Sequence, residues 1–402
     1  MVEPAEHRGG AGIRDGAAST KPQGWRKAAW LVACLGLLLL AQLRISLAPT
    51  WSWDLIAYVA CVHEARGEAV EEIHQATFAE LGLAAPAEVF ERLTGGDSQE
   101  DGQRQYRSAV HQSPKSLKAQ LGFYRGRWLY HRLLDGLSQS GTNPFEVAFG
   151  VSRVAGALLA LLLWIWLARS MHPIPALACA WFAMEATGSF QTAANASPDS
   201  LATLLLIGGA FALVRSSNSW MAWPLMLAAL GTRVDHALFV VPMLLWMACV
   251  GFGELRRLTF PGLAVALALC AAVICACTFG QDTYSWWTVH RHTFHGYMTF
   301  PTDQTPPADI ASALLYSLRS LPKFAGGQAL FFCCIPLAGI WLARRKPAGQ
   351  RIDGLCVLAL VGIFTHFTLF PVLWPRLMGP YWLLGWLGFA DHIWPRKPAV
   401  PS

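Results

Sequence analysis

An aspartate lies directly after the first long apolar stretch of the chain, in the run Trp51-Ser52-Trp53-Asp54. Tryptophan favours the depth at which a membrane meets water, so Trp53 would hold Asp54 at the headgroup level and line any cavity there. Partial removal of a carboxylate from water raises its proton affinity, which suits a general base acting on a hydroxyl. A second interpretation stays open, in which Asp54 caps the N-terminus of a helix over 55–66.

Arginines occur near the ends of other apolar stretches, where they could bind a phosphate. Arg233 and Asp235 follow the fifth stretch, and Arg376 begins the last one. Arg125 and Arg127 lie in a segment where basic and aromatic residues alternate, which is typical of a helix in the membrane interface. A guanidinium can hold a phosphate through two donors in a fixed fork. In the competing interpretation Arg233 and Asp235 form an ion pair with each other in a turn. The other arginines would then extend from the membrane interface toward water without binding a phosphate.

Three histidines, His290, His292 and His295, occur within six residues. Zinc sites use such imidazoles, but no spacing signature supplies the remaining ligands. We therefore assign no metal ligand, while a divalent metal stays an alternative. A polar, aromatic wall for a sugar or a phosphate fits these histidines better, and a plain interfacial loop fits them better still. Asp199 is a further candidate for the wall of the same cavity.

The composition indicates the environment of these residues. The chain has 402 residues, of which 54% are hydrophobic and 14% charged, and 18 are tryptophan. Soluble domains carry about 25% charged residues, so a soluble enzyme and a disordered chain are both excluded. A net charge of +6 is too small to predict binding to nucleic acid. The sequence predicts a polytopic membrane protein surrounded by lipid.

About ten apolar segments approach the length that crosses a bilayer, which is about 20 residues for a helix. They are 28–48, 146–168, 174–193, 200–214, 219–231, 236–252, 260–279, 326–343, 354–371 and 377–393. Basic residues mark the short turns on one side, which places both termini in the cytoplasm. We expect an all-α transmembrane bundle over 28–393, with a disordered cytoplasmic tail over 1–27 and a second cytoplasmic tail over 394–402. Two long extracytoplasmic loops, 49–143 and 280–325, remain, and the first is predicted to contain amphipathic interfacial helices.

This order of features resembles the GT-C superfamily of membrane glycosyltransferases, in particular its mannosyltransferase-like members. The Trp53-Asp54 pair opens the first outer loop, as the first-loop aspartate of that family does. Residues 195–202 are similar to the family's Ser-Pro-Asp turn, 231–235 to its Thr-Arg-x-Asp step, and 375–380 to its Arg-Tyr-Leu-x-Pro helix start. Each motif is short, and the resemblance depends on their order together with the topology.

The resemblance implies an inverting transferase at the extracytoplasmic face, in which the donor is a sugar linked to polyprenyl or dolichyl phosphate. Asp54 would be the base or would orient the acceptor, and Arg233 and Arg376 would contact the donor phosphate. Arg125 and Arg127 are further candidates for that contact. No second marked acidic pair follows Asp54, which leaves metal dependence open. A bacterial inner membrane is the expected location.

Two other classes of protein stay open at this point. A transporter or flippase of a lipid-linked substrate would need charges along a path through the bundle, and Glu185 is the charge predicted to lie centrally. A non-catalytic assembly protein of the cell envelope would instead have an empty, hydrophobic outer cavity. The sequence leaves the oligomeric state, the sugar, the acceptor and the lipid carrier open.

Overall fold

The structure, a computed structural model, describes residues 23–96, 101–215, 219–250, 258–294, 296–302, 311–312, 314–316, 318–320, 327–344 and 353–394. These residues form helices and turns and contain no β-strand; an isolated bridge pairs Thr50 with Asn195. The predicted all-α fold is therefore confirmed for this part of the chain. The predicted tails, 1–27 and 394–402, lie mostly outside it, although the first helix already begins at Gln23.

In chain order the helices are α1 Gln23–Ser46, α2 Asp54–Ala65, α3 Val70–Ala84, α4 Ala87–Thr94, α5 Asp101–Gln112, α6 Pro114–Gln120, α7 Trp128–Ser138, α8 Pro144–Ala168, α9 Pro173–Ala186, α10 Ser189–Ala194, α11 Pro198–Arg215, α12 Ala222–Thr232, α13 Ala237–Cys249, α14 Phe260–Thr278, α15 Trp286–Phe294, α16 Gly327–Ala343, α17 Asp353–Leu369 and α18 Pro375–Ile393. We call α1, α8, α9, α11–α14 and α16–α18 the bundle, and α2–α7 the cap. The loop end of the bundle is the end at which α1 ends and α8 begins, where the cap is attached.

Each predicted apolar segment falls on one bundle helix, except 174–193, which is divided between α9 and α10, and the helices differ in length. Three are long and apolar enough to cross a membrane: Ala28–Ser46, Pro144–Ala168 and Phe260–Gln281. Others are much shorter, and α12 has 11 residues, a length of about 17 Å at a rise of 1.5 Å per residue. Three spanning helices indicate association with a membrane, whereas helix length alone does not establish ten spans.

Glu185 lies at the loop end of the bundle rather than at its centre. It is in the last turn of α9 and accepts two hydrogen bonds from Arg44, which is in the last turn of α1, at 2.7 Å and 3.0 Å. Both side chains are more than a third exposed. The prediction of a central charge is therefore wrong for Glu185, and this pair gives no sign of a charged path through the bundle.

The cap is a compact unit with a core of its own, and α2 is the centre of that core. Every residue from Leu55 to His63 is buried, so α2 has no lipid-facing side. The segment that was predicted to be one interfacial helix is divided into α6 and α7, and Leu117 and Tyr130 are buried in the same core. Its basic residues Lys118 and Arg125 bind Glu64 of α2. These segments therefore pack against one another within the cap, and their contact with the membrane interface stays a prediction.

Two contacts fix the cap relative to the segment that follows α14. The backbone N–H of Tyr284 donates to the carbonyl of Gly122 at 3.0 Å, and its hydroxyl donates to the carbonyl of Ala119 at 2.8 Å. A Cβ atom on Gly122 would lie 2.6 Å from the Tyr284 ring, so only glycine permits this approach. The first and second long loops are thereby held together around the cavity described below.

A histidine ion pair links α2 to α3, and its stability should depend on pH. His63 is 3% exposed, and its Nδ1 and Nε2 lie 2.9 Å and 3.0 Å from carboxylate oxygens of Glu68 and Glu80. Burial alone would lower the pKa of His63, but the hydrogen bonds and charges of Glu80 and Glu68 raise it above 6.5. This contribution to stability is complete below pH 6.5 and is lost as the pH rises through the raised pKa.

We therefore predict that His63→Gln lowers the free energy of unfolding by about 1.5–3 kcal/mol at pH 6, the range for hydrogen bonds to charged groups. Thermal unfolding in detergent between pH 6 and pH 9 measures the effect. The wild-type and variant melting temperatures should converge as the pH rises. A difference in melting temperature between the two proteins that stays constant from pH 6 to pH 9 would contradict the charged state assigned to His63.

Candidate active site

A cavity of about 640 Å³ lies between the cap and the loop end of the bundle. The cap contributes the start of α2, α4, α5 and the α6–α7 connection to its walls. The rest of the chain contributes the α12–α13 turn, α15, the end of α17 and the start of α18. This volume is in the range that encloses small ligands such as a sugar. Elements far apart in the sequence therefore contribute to one site.

Asp54 occupies the wall of this cavity as the first residue of α2. Its Oδ1 accepts a hydrogen bond of 2.8 Å from the hydroxyl of Tyr124, and its Oδ2 accepts one of 2.6 Å from Nη1 of Arg376. The capping interpretation is not supported, since the N-cap residue is Trp53 and no side chain caps this helix. Burial alone would raise the pKa of Asp54, but the charge and hydrogen bond of Arg376, the Tyr124 hydroxyl and the charge of Arg127 lower it below its ordinary value.

Arg376 reaches Asp54 from the first turn of α18. Pro375 begins that helix, where a proline is favoured because its missing N–H would have no partner. The guanidinium also lies 4.9 Å from the centroid of the Trp374 ring. The Asp54 and Arg376 side chains are 24% and 29% exposed, so they face the cavity rather than the core.

Arg233 forms the second ion-paired group in the cavity wall, at the end of α12. It donates to both carboxylate oxygens of Asp235, at 2.9 Å and 2.6 Å, and also pairs with Asp199 at the start of α11. Ser197 donates to Asp199 at 2.9 Å. Arg233 and Asp235 line the cavity, while Asp199 is 3% exposed and lies behind them. The turn interpretation of Arg233 and Asp235 is thus correct, and the pair still faces the cavity.

Arg127 is a cation of the cavity wall without an ion-pair partner. Its Nη1 donates to the backbone carbonyl of Phe123 at 2.7 Å, and its guanidinium lies 5.3 Å and 5.2 Å from the ring centroids of Tyr58 and Tyr124. Within the described ranges, no carboxylate lies within 4.0 Å of it. A guanidinium held in this way keeps donors available for an anion.

Arg125 is two residues away and faces in another direction. It donates two hydrogen bonds of 2.7 Å to Glu64 and a third to the carbonyl of Asp282 at 3.2 Å. It does not line the cavity. The structure therefore does not bring Arg125 to the predicted phosphate site.

An aromatic wall adjoins Asp54 on the cap side of the cavity. Trp53 and Tyr106 have ring centroids 5.1 Å apart, and Tyr106 stacks on Tyr297 at 5.5 Å and 26°. His292 lies 4.5 Å from the Phe123 ring, and its Nδ1 accepts a hydrogen bond of 3.0 Å from the backbone of Met298. Burial lowers the pKa of His292 to about 4, so the neutral imidazole offers an Nε2–H donor. Trp53 and His292 thus take part in the polar, aromatic wall that was predicted.

Of the other two histidines of that segment, the structure describes His290. His290 is fully buried and stacks on Trp287 at 5.7 Å and 14°, away from the cavity. His295 lies outside the described residues. In the part of the chain that the structure describes, no three His, Cys, Asp or Glu side chains are grouped as metal ligands would be.

Sequence reasoning missed several residues of the cavity. Tyr124 was read only as part of a basic and aromatic stretch, although it bonds directly to Asp54. Arg92, Tyr106 and Arg107 were not among the predicted site residues, yet α4 and α5 carry them into the wall. The helical pattern of α4 was the available signal, but it gave no indication of which residues face the cavity.

Compared with known proteins, the chain matches no protein-family model, no curated protein and no solved structure.

The pairing of Arg233 with two carboxylates predicts a large loss of stability when Arg233 is removed. In Arg233→Gln, Asp199 and Asp235 lose their cation, and breaking a buried ion pair in this way costs about 3–5 kcal/mol. The melting temperature in detergent should fall clearly, while Arg132→Gln, on the exposed side of α7, should leave it unchanged. Adding Asp199→Asn to Arg233→Gln should restore part of the loss. An unchanged melting temperature in Arg233→Gln would contradict the pairing.

Proposed function

We propose that this chain is an integral membrane glycosyltransferase of GT-C type. It transfers a sugar from a polyprenyl-phosphate donor to an acceptor hydroxyl at the extracytoplasmic face, with inversion at the anomeric carbon. The observation that carries the proposal is one cavity at one end of an apolar bundle. It combines the Asp54 carboxylate with the nearby Arg127, Arg233 and Arg376 and with an aromatic wall. These groups are the set that such a reaction requires.

The chemistry explains why a carboxylate and cations suffice. The acceptor oxygen attacks the anomeric carbon from the face opposite the phosphate, so the new C–O bond forms as the bond to the phosphate oxygen breaks. The acceptor proton passes to Asp54, and the leaving phosphate carries the bonding electrons away. The leaving phosphate needs no proton from the protein, because nearby cations stabilise its negative charge.

Arg127 and Arg376 are the proposed contacts of the donor phosphate. Arg127 has no carboxylate partner within the described ranges. Arg376 faces the cavity at the start of a bundle helix, close to the level where a lipid-linked phosphate would enter. A lipid carrier is suggested by the apolar bundle beneath the cavity. Arg233 supports the same wall, but its donors are already engaged by Asp199 and Asp235.

Donor binding would also prepare Asp54 for its role. Arg376 lowers the pKa of Asp54, which makes that carboxylate a weak base. A donor phosphate competes for the Arg376 guanidinium, and the Asp54–Arg376 contact loosens when the phosphate takes it. Asp54 then becomes more basic at the moment when the acceptor hydroxyl is present.

The aromatic wall is the proposed position of the transferred sugar. Trp53, Tyr106 and Tyr297 line the cavity, and Trp53 is the neighbour of Asp54. The faces of sugar rings carry apolar C–H groups that pack on such rings, while the Nε2–H of His292 can donate to a sugar oxygen.

The proposed topology has ten spans and places the cap and the cavity outside the cytoplasmic membrane, with both termini in the cytoplasm. Its support is the matching of bundle helices to the predicted segments and the basic turns at the opposite end, which include Arg169 and Arg344. A bacterial inner membrane is the proposed location.

Substitution of Asp54 tests the proposed base. Asp54→Asn removes the proton acceptor and should abolish sugar transfer, a loss of about 10²-fold or more, while expression and membrane insertion stay intact. Asp282→Asn is the matched control, because Asp282 is exposed and has a φ of 47°, a conformation that asparagine tolerates. Transfer from a polyprenyl-phosphate sugar by purified protein is the measurement. Full activity of Asp54→Asn would remove Asp54 from the mechanism.

Substitution of the proposed phosphate contacts tests the donor site separately. Arg127→Gln and Arg376→Gln should each weaken binding of polyprenyl phosphate by about tenfold or more, since each removes a charge-assisted hydrogen bond worth about 1.5–3 kcal/mol. Titration of polyprenyl phosphate into protein in nanodiscs measures this without any transfer step. Arg132→Gln, outside the cavity, should bind as the wild type does. Unchanged affinity in both cavity variants would contradict the assignment.

A further inference from the structure

A second group of arginines lines the cavity, on the wall formed by α4 and α5. Nη1 of Arg107 donates to the backbone carbonyl of Arg92 at 3.2 Å, and its Nη2 lies 3.4 Å from the side-chain oxygen of Gln103. These contacts hold the Arg107 guanidinium over the last turn of α4, beside Arg92. Neither guanidinium has a carboxylate within 4.0 Å among the residues that the structure describes.

The two like charges influence each other at this wall. Burial lowers the pKa of Arg107, and the positive charge of Arg92 lowers it further, while Tyr297, Tyr106 and Asp54 act in the opposite direction. Two neighbouring cations with no carboxylate partner among the described residues repel each other, and an anion between them would relieve that repulsion. The Arg92–Arg107 pair therefore has the features of an anion-binding site.

This pair lies at the opposite side of the aromatic wall from Asp54. Gln103, which touches Arg107, donates to the Tyr297 hydroxyl at 3.2 Å, and Tyr297 stacks on Tyr106. Tyr106 in turn contacts Trp53, the neighbour of Asp54. The aromatic rings therefore separate the Arg92–Arg107 pair from the carboxylate and from the cations around it.

The two cationic groups also belong to different parts of the fold. Arg92 and Arg107 are carried by α4 and α5, which pack mainly on α3, on α6 and on each other within the cap. Arg376, in contrast, begins a bundle helix. A lipid-linked phosphate enters from the bundle side, so an anion at the cap side has a different source.

We propose that Arg92 and Arg107 bind a phosphate or carboxylate group of the acceptor, so that the acceptor is an anionic saccharide. This inference rests on the proposed function, and it adds the class of the acceptor. The acceptor would lie along the aromatic wall, with its anionic group at the Arg92–Arg107 pair and its reacting hydroxyl at Asp54. A neutral saccharide would leave the two cations without a counter-charge.

A binding measurement on the full chain in nanodiscs tests the proposal without any transfer step. The probes are glucose 6-phosphate, glucuronate and glucose, titrated separately by calorimetry. At least one anionic sugar should bind about tenfold more tightly than glucose, a difference of about 1.4 kcal/mol. The comparison of the two anionic probes distinguishes a phosphate from a carboxylate. The preference should disappear in Arg107→Gln and in the double variant Arg92→Gln/Arg107→Gln.

The matched control is Arg104→Gln, since Arg104 is exposed on the same helix α5 and does not line the cavity. It should keep the preference for the anionic sugar. Equal binding of all three probes by the wild type, or no binding of any of them, would overturn the proposal.

Polyprenyl phosphate is titrated into the same proteins to separate the two anion sites. The double variant Arg92→Gln/Arg107→Gln should bind it as the wild type does. Loss of that binding would place the donor phosphate at this pair and would overturn the acceptor assignment. Intact polyprenyl phosphate binding without sugar discrimination overturns the acceptor class and leaves the transferase proposal standing. Sugar discrimination without any transfer activity would overturn the transferase proposal, while Arg92 and Arg107 would remain a site for an anionic sugar.

Discussion

The contact between Asp54 and Arg376 joins the first helix of the cap to the last helix of the bundle, 322 residues further along the chain. Both side chains stand in the first turn of their helices, and a carboxylate is stabilised there by the helix dipole. Neither charge is fully hydrated, so each depends on the other as a counter-charge. This contact sets the charge of the cavity wall where the cap meets the bundle, while the Tyr284 contacts and the packing of α7 on α8 hold the cap in place.

The charge distribution around that contact suits an anionic ligand. Five arginines and two aspartates line the cavity, and the aspartates are already engaged by Arg376 and Arg233. Arg127 contacts aromatic rings and one backbone carbonyl, and the Arg107 guanidinium contacts the carbonyl of Arg92 and the amide oxygen of Gln103. The excess positive charge thus occurs at two separate places, which matches a reaction between two anionic substrates.

Hydropathy predicted the bundle well, because burial in lipid or protein demands apolar residues wherever a helix crosses the core. It also marked Asp54, Arg233 and Arg376, which stand out as charges at the ends of apolar runs. The structure of the cap could not be predicted in this way, since burial of α2 on all sides depends on the helices around it. For the same reason the sequence could not distinguish Arg125, which binds Glu64, from Arg127, which faces the cavity.

A structure of the protein with polyprenyl phosphate bound in a nanodisc tests the central claim most directly. The decisive quantities are the distances from the phosphate oxygens to Arg127 and Arg376, and the distance between Arg376 and Asp54. We expect the phosphate to contact both arginines and the Asp54–Arg376 distance to exceed its present 2.6 Å. A phosphate bound elsewhere, with the Asp54–Arg376 contact unchanged, would contradict the account.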